Sequence, residues 1–174
     1  LIALIDDQLT QLNKLIPGAA VAINKPGAAK KLQDGGGAFV AFLTPEKLVK
    51  SKQAMNLLKK LYSVGRIARF VVDESHCVCS WGHDFRSDYT KLSLLKSTFP
   101  SVPILALTAT APDAVRDEVV RILGMSGAAR YQSSLRRPNL NYTIVSKSKT
   151  SPVEQVHEWI TSRFDGESGI IYTL

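Results

Sequence analysis

Asp73 and Glu74 stand side by side directly after the apolar run Phe70-Val71-Val72. A carboxylate at the end of a buried strand can hold a hydrated Mg²⁺ against phosphate oxygens. A second carboxylate beside it can orient and deprotonate an attacking water. The plainer reading is that the pair ends a strand and caps the next element. Shortly downstream comes Trp81-Gly82-His83-Asp84-Phe85-Arg86, in a stretch with neither helical nor strand period. Aromatic faces stack on unpaired bases without demanding a sequence, at about 1–3 kcal/mol per base. Arg86 can pair with a phosphate or stack on a base. Trp81 and Phe85 could instead be core residues, but the Gly, Asp and Arg around them favour a surface loop. His76, Cys77, Cys79 and His83 are metal-ligating types, yet zinc sites usually separate their cysteines by two to four residues. The single residue between Cys77 and Cys79 makes both a zinc site and a mutual disulfide awkward. A small metal or redox protein is therefore a weak reading, and no zinc is expected in these residues.

Such groups act together only if a frame brings them to one edge. Leu1, Ile2, Leu4, Ile5, Leu9, Leu12 and Leu15 recur at three- and four-residue steps and predict a helix closed by Pro17-Gly18. Strands are expected at 19–23, 38–43, 68–72, 102–107, 141–145 and 168–173. Those at 38–43 and 68–72 read as buried, the former on both faces. Thr44 and Pro45 supply an N-cap and a first helical position. Further helices are expected at 52–63, 88–99, about 112–123 and 152–164, with a basic connection over 126–138. Strands alternating with helices predict an α/β fold with a parallel sheet and right-handed crossovers. In such sheets chemistry gathers beyond the carboxyl ends of the strands. Three polar stretches lie there, Thr44-Pro45-Glu46, Asp73-Glu74 and Thr108-Ala109-Thr110, and they read as parts of one site.

The composition agrees with one ordinary domain and the start of another. The 174 residues are 45% hydrophobic and 21% charged, which excludes a disordered charged tail. Lys and Arg number 22 against 15 Asp and Glu, a net +7 that favours anionic partners such as nucleic acid. No apolar run approaches the roughly 18 residues of a membrane span. Two cysteines cannot build a disulfide framework, so a reduced, intracellular, soluble protein is expected. The first residues read as a helix already under way and the last as a strand without a following turn, as in a piece of a longer protein.

The tract from Asp73-Glu74-Ser75-His76 through Trp81-Gly82-His83-Asp84-Phe85-Arg86 resembles the DEAH-type motif II and aromatic-rich loop of RecQ-family DNA helicases. The remaining motifs come in that family's order. Residues 1–8 resemble motif Ia and Thr44-Pro45-Glu46-Lys47-Leu48 motif Ib. Leu105-Ala106-Leu107-Thr108-Ala109-Thr110-Ala111 resembles motif III. Arg137-Pro138-Asn139-Leu140-Asn141-Tyr142 resembles the segment joining two motor domains, and Ser168-Gly169-Ile170-Ile171-Tyr172 resembles motif IV.

The resemblance implies a RecA-like parallel sheet flanked by helices. Residues 1–135 would form an incomplete first motor domain, and 136–174 the linker and start of a second. It implies an ATP-dependent 3′-to-5′ DNA helicase using ATP and Mg²⁺. Its partners would be single-stranded and forked DNA, with no membrane; its work recombination and repair; its place the nucleus in a eukaryote. Asp73 would hold Mg²⁺ through water and Glu74 would be the catalytic base. His76 would relay the nucleotide state, and Thr108, Thr110, His83 and Asp84 would couple ATP to DNA. Trp81, Phe85, Arg86, Asp7 and Gln8 would contact DNA. Ser75 replaces the family's common Ala, Cys79-Ser80 a Ser followed by Gln or Glu, and Ser87 a Pro. No Gly-x-x-x-x-Gly-Lys-Ser/Thr phosphate cradle occurs in the 174 residues. The isolated chain is therefore expected neither to hydrolyse ATP nor to bind it tightly. The family's four-cysteine zinc site is expected downstream. The alternative is a non-catalytic nucleic-acid-binding module derived from such a motor.

Overall fold

The computed structural model describes residues 2–33, 37–79, 86–109, 112–134, 136–147 and 151–172. The chain divides into two compact units, 1–130 and 131–174.

In the first unit, α1 (Ile2–Leu15) leads into β1 (Ala20–Ala22), α2 (Ala28–Gln33) and β2 (Val40–Phe42). Then come α3 (Pro45–Lys50), α4 (Lys52–Ser63) and β3 (Phe70–Val72). A 3-10 turn over Ser75–Val78 precedes α5 (Ser87–Thr90), α6 (Leu94–Thr98), β4 (Ile104–Ala106) and α7 (Asp113–Ile122). Local chemistry sets several of these bounds. Thr44 Oγ1 accepts from the Lys47 N–H at the start of α3, with Pro45 in the first turn. Ser51 ends α3 and begins α4, its Oγ accepting from the Ala54 N–H.

The strands pair in parallel, β1 with β2 and β3 with β4, as two two-stranded sheets among the described residues. The parallel α/β architecture is thus present. Helix α4 lies under both pairs. Its Leu57 and Leu61 pack with Val21 and Leu32, while Leu58 packs with Val72, Leu92 and Phe99. Ile23 and Ile67 touch both groups. Ala20, Ala22, Val40 and Phe42 face α1 through Leu9, Ile5 and Leu12. Phe99 is fully buried, with the rings of Tyr62 and Phe70 each 5.3 Å away in edge or tilted geometry.

Several expectations need correction. The strand at 68–72 is not buried throughout. Phe70 and Val72 face the core, but Val71 is 54% exposed and its register partner Leu105 is 42% exposed. No described element covers that face. The strand at 38–43 is likewise not covered on both sides, since Phe39 and Ala41 are exposed. The helix expected at 88–99 starts at Ser87 and is interrupted by a 3-10 turn at Lys91–Ser93, which lets Tyr89, Leu92 and Leu95 all reach the core. The segment after Glu74, expected to lack regular structure, contains the Ser75–Val78 turn.

In the second unit, α8 (Pro152–Thr161) is capped by Ser151, whose Oγ accepts from the Glu154 N–H. It ends at Thr161, short of the expected 164. The strands expected at 141–145 and 168–173 do not form over their described residues. Ile144, Ile170 and Tyr172 stand exposed. A strand needs a neighbour for its N–H and C=O groups and a face to bury, and β-favouring residues without either remain unpaired.

Candidate functional site

The site is built where β3 meets β4. The parallel ladder runs past both strand ends: the Leu107 N–H donates to Val72 O at 2.8 Å. In a regular parallel ladder Leu107 O would next accept from residue 74. It accepts instead from the Ser75 N–H, at 2.9 Å. One extra residue is therefore inserted in the β3 chain, a bulge that pushes Asp73 and Glu74 out of the ladder. Glu74 absorbs the geometry with φ 48° and ψ 42°, and it alone among the described non-glycine residues has positive φ. Holding an ordinary residue there costs about 1–3 kcal/mol. Both carboxylates are exposed, and Asp73 Oδ1 accepts from the Glu74 N–H at 2.9 Å.

The Ser75–Val78 turn then carries His76 back toward β4. His76 Nδ1 lies 2.9 Å from Thr108 Oγ1 and 3.5 Å from Glu74 Oε2. One ring nitrogen thus faces a hydroxyl from the β4 end and a carboxylate from the β3 end. Ser75, Cys77, Val78 and Cys79 are buried and anchor the turn. Burial pushes the Cys79 thiol up, reinforced by the Glu118 carboxylate, while the Arg121 guanidinium opposes. Its Sγ faces Val115 O at 3.8 Å, and both cysteines are thiols outside any disulfide.

Tyr89 joins further groups to this edge. It is buried, and burial first, then the Cys77 thiol, raises its hydroxyl above the ordinary range. The carboxylates of Glu46 and Asp73 act in the same direction, so the α3 and β3 ends both lie near this ring. Arg86 is exposed, its guanidinium carbon 5.9 Å from the Tyr89 ring centre, and its N–H donates to Cys77 O at 3.2 Å. Asp88 takes Lys50 of α3 and Lys91 of its own turn, each at 3.3 Å. Its burial would raise the carboxyl, but these lysine hydrogen bonds win and hold it below the usual range.

The structure therefore brings Asp73, Glu74, His76 and Thr108 to one edge, with Arg86 held against the Tyr89 ring beside it. Asp7 is exposed and Gln8 half-buried on α1, away from these groups in sequence and on a different element. Trp81, His83, Asp84, Phe85 and Thr110 lie outside the described residues. Sequence reading missed Tyr89 as a junction, because its helical spacing marks it as core. It also missed Asp88, for which the three-residue step to Lys91 was the available signal.

Two adjacent exposed carboxylates suit a hard cation that keeps most of its water, so Asp73 and Glu74 fit a hydrated Mg²⁺. Among the described residues no group of three or more His, Cys, Asp or Glu could hold a metal directly. No described helix is long and apolar enough to cross a membrane.

Comparison with known proteins gives the family. The DEAD/DEAH box helicase family model matches residues 1–119. The Arabidopsis thaliana ATP-dependent DNA helicase Q-like 4B is 45% identical over 133 residues, covering 76% of this chain and 12% of that protein. The Rattus norvegicus ATP-dependent DNA helicase Q1 is 36% identical over 183 residues, covering 99% of this chain and 29% of its own length. The Saccharomyces cerevisiae ATP-dependent helicase SGS1 is 36% identical over 179 residues, covering 99% and 12%. The chain spans less than a third of the length of these curated relatives. The family match over residues 1–119 and the 36–45% identity to these relatives mean that the chain belongs to the DEAD/DEAH box helicases and, among them, to the RecQ type.

Proposed function

We propose that this chain supplies the water-activating edge and part of the DNA grip of an ATP-dependent DNA helicase of RecQ type. The observation that carries the reading is His76 Nδ1 standing within reach of both Glu74 and Thr108. Asp73 would hold a hydrated Mg²⁺, which would offset phosphate charge. Glu74, turned out of the ladder by the bulge, takes a proton from the attacking water. His76 Nδ1 is at hydrogen-bond distance from Thr108 and close to Glu74, so one ring links the two strand ends. A shift at the carboxylate is thereby felt at the β4 end.

On this reading Thr108 and Thr110 pass that shift on, with His83 and Asp84 shaping the loop between. Trp81, Phe85 and Arg86 grip unpaired bases and phosphates, and Asp7 and Gln8 add contacts from α1. Residues 1–135 act as part of the first motor domain and 136–174 as the connection into a second. The parent enzyme moves 3′ to 5′ on single-stranded or forked DNA in recombination and repair, in the nucleus if its source is eukaryotic. Residues 1–174 alone neither hydrolyse nor tightly bind ATP, for want of a phosphate cradle among them.

The test uses the full-length gene product. Its ATP hydrolysis should rise with single-stranded DNA, and Glu74→Gln should lower the rate about 100-fold or more while DNA binding persists. Undiminished hydrolysis by that variant would remove Glu74 from the chemistry.

A further inference from the structure

Away from this edge, α1 and α2 flank an open groove of about 570 Å³ beside β1. Buried Leu9, Ala20 and Ala22 line its depth, and Lys14, Lys25 and Lys31 stand along it. On α1 the lining positions are Asp6, Leu9, Thr10, Asn13 and Lys14, whose spacing is one helix face. Asp7 and Gln8 fall outside that set.

Two features make this more than a solvated basic surface. First, the groove wall is fixed. Asn13 Nδ2 donates to Leu9 O and Ala20 O at 2.9 and 3.1 Å, and its Oδ1 accepts from the Ala20 N–H at 3.2 Å. That amide occupies the backbone groups of Ala20, locking α1 against β1. Second, the charge is unbalanced. Among the described lining residues Asp6 is the one acid, and it pairs with Lys25 at 2.6 Å. Neither Lys14 nor Lys31 has a carboxylate partner among the described residues. The described lining thus carries a net positive charge over a floor that includes Ala20 and Ala22.

We propose that this groove binds the sugar-phosphate backbone of a nucleic-acid single strand, with Lys14 and Lys31 as phosphate partners. Lys25 exchanges Asp6 for a phosphate when the strand is present. An acidic peptide would satisfy the charge equally, but membership of the DNA helicases favours a polyanionic strand. This inference rests on the DNA-binding reading above and adds to it a site that uses none of its residues.

The test is fluorescence anisotropy of a labelled oligo-dT with the full-length gene product across a salt series. Each phosphate contact contributes about 0.7 to the slope of log K against log salt, or about fivefold in affinity at 0.1 M. Replacing all three lysines (Lys14→Ala, Lys25→Ala, Lys31→Ala) should weaken binding about 100-fold there and flatten the slope by about 2. Asp6→Asn, which frees Lys25, should tighten binding by up to about fivefold, a gain that a damaged fold cannot produce. If the unaltered full-length protein binds no oligonucleotide, the proposed function fails and the groove with it. If it binds and the triple variant matches it in affinity and slope, only the groove is refuted. Loss of poly-glutamate binding with oligo-dT affinity retained would overturn the proposal in favour of an acidic-peptide site.

Discussion

Replacing Glu74 by Gly and by Ala in parallel separates its backbone from its chemistry. Both variants lose the carboxylate and its approach to His76, so their difference reports the left-handed conformation at φ 48°. An alanine there keeps a Cβ crowded against the following carbonyl, at about 1–2 kcal/mol. Glycine avoids that strain but gives up about 0.5–1 kcal/mol of extra freedom in the unfolded chain. The net expectation favours Gly over Ala by about 0.5–1 kcal/mol, the reverse of the order at an ordinary helix or strand position. Urea unfolding followed by circular dichroism should place the Gly midpoint higher by about 0.3–0.5 M, taking about 2 kcal/mol/M for the slope. An Ala variant as stable as the Gly variant, or more so, would mean that the bulge stores no strain. Glu74 would then not be held ready by an imposed backbone.

Ser75 is 1% exposed and its Oγ has no hydrogen-bond partner among the described residues; Ser75→Ala should therefore stabilise the chain by about 1 kcal/mol in the same urea assay. Asp88 has a depressed carboxyl, so its contribution is present above the ordinary value of 3.8 and is lost as pH falls through its lower folded value. The melting temperature of Asp88→Asn should accordingly lie below the parent's at pH 5 and converge on it at lower pH. Cys77 and Cys79 are buried and the Cys79 thiol is raised, so iodoacetamide at pH 8 should label neither until urea unfolds the chain, as followed by mass spectrometry.

Two of the helix starts were readable because they carry their own chemistry. Thr44 with Pro45 and Ser151 with Pro152 announce starts that the caps then make. The strands of the first unit were readable as apolar runs, but whether both faces are covered was not. Val71 and Leu105 have the same residue types as their buried neighbours, and only the placement of surrounding helices decides exposure. Residues 141–145 show the opposite error, since propensity marks a strand and pairing alone can make one. At the site, Asp73, Glu74, His76 and Thr108 were legible from order and residue type. The bulge was not, because nothing in Asp73-Glu74-Ser75 says which N–H will take Leu107 O. Nor was the Asp88 bridge to Lys50, which joins residues distant in the chain.

Helix α4 is the keel on which both strand pairs rest, through neighbouring leucines on adjoining faces. Neither pair can come loose without stripping support from the other, so residues 1–130 should melt as a single calorimetric peak. Mechanically, a tilt of that twelve-residue rod levers the β1 side and the β3 side together. Force arising at the acidic turn would reach the lysine-lined channel through one stiff spar rather than a chain of loops.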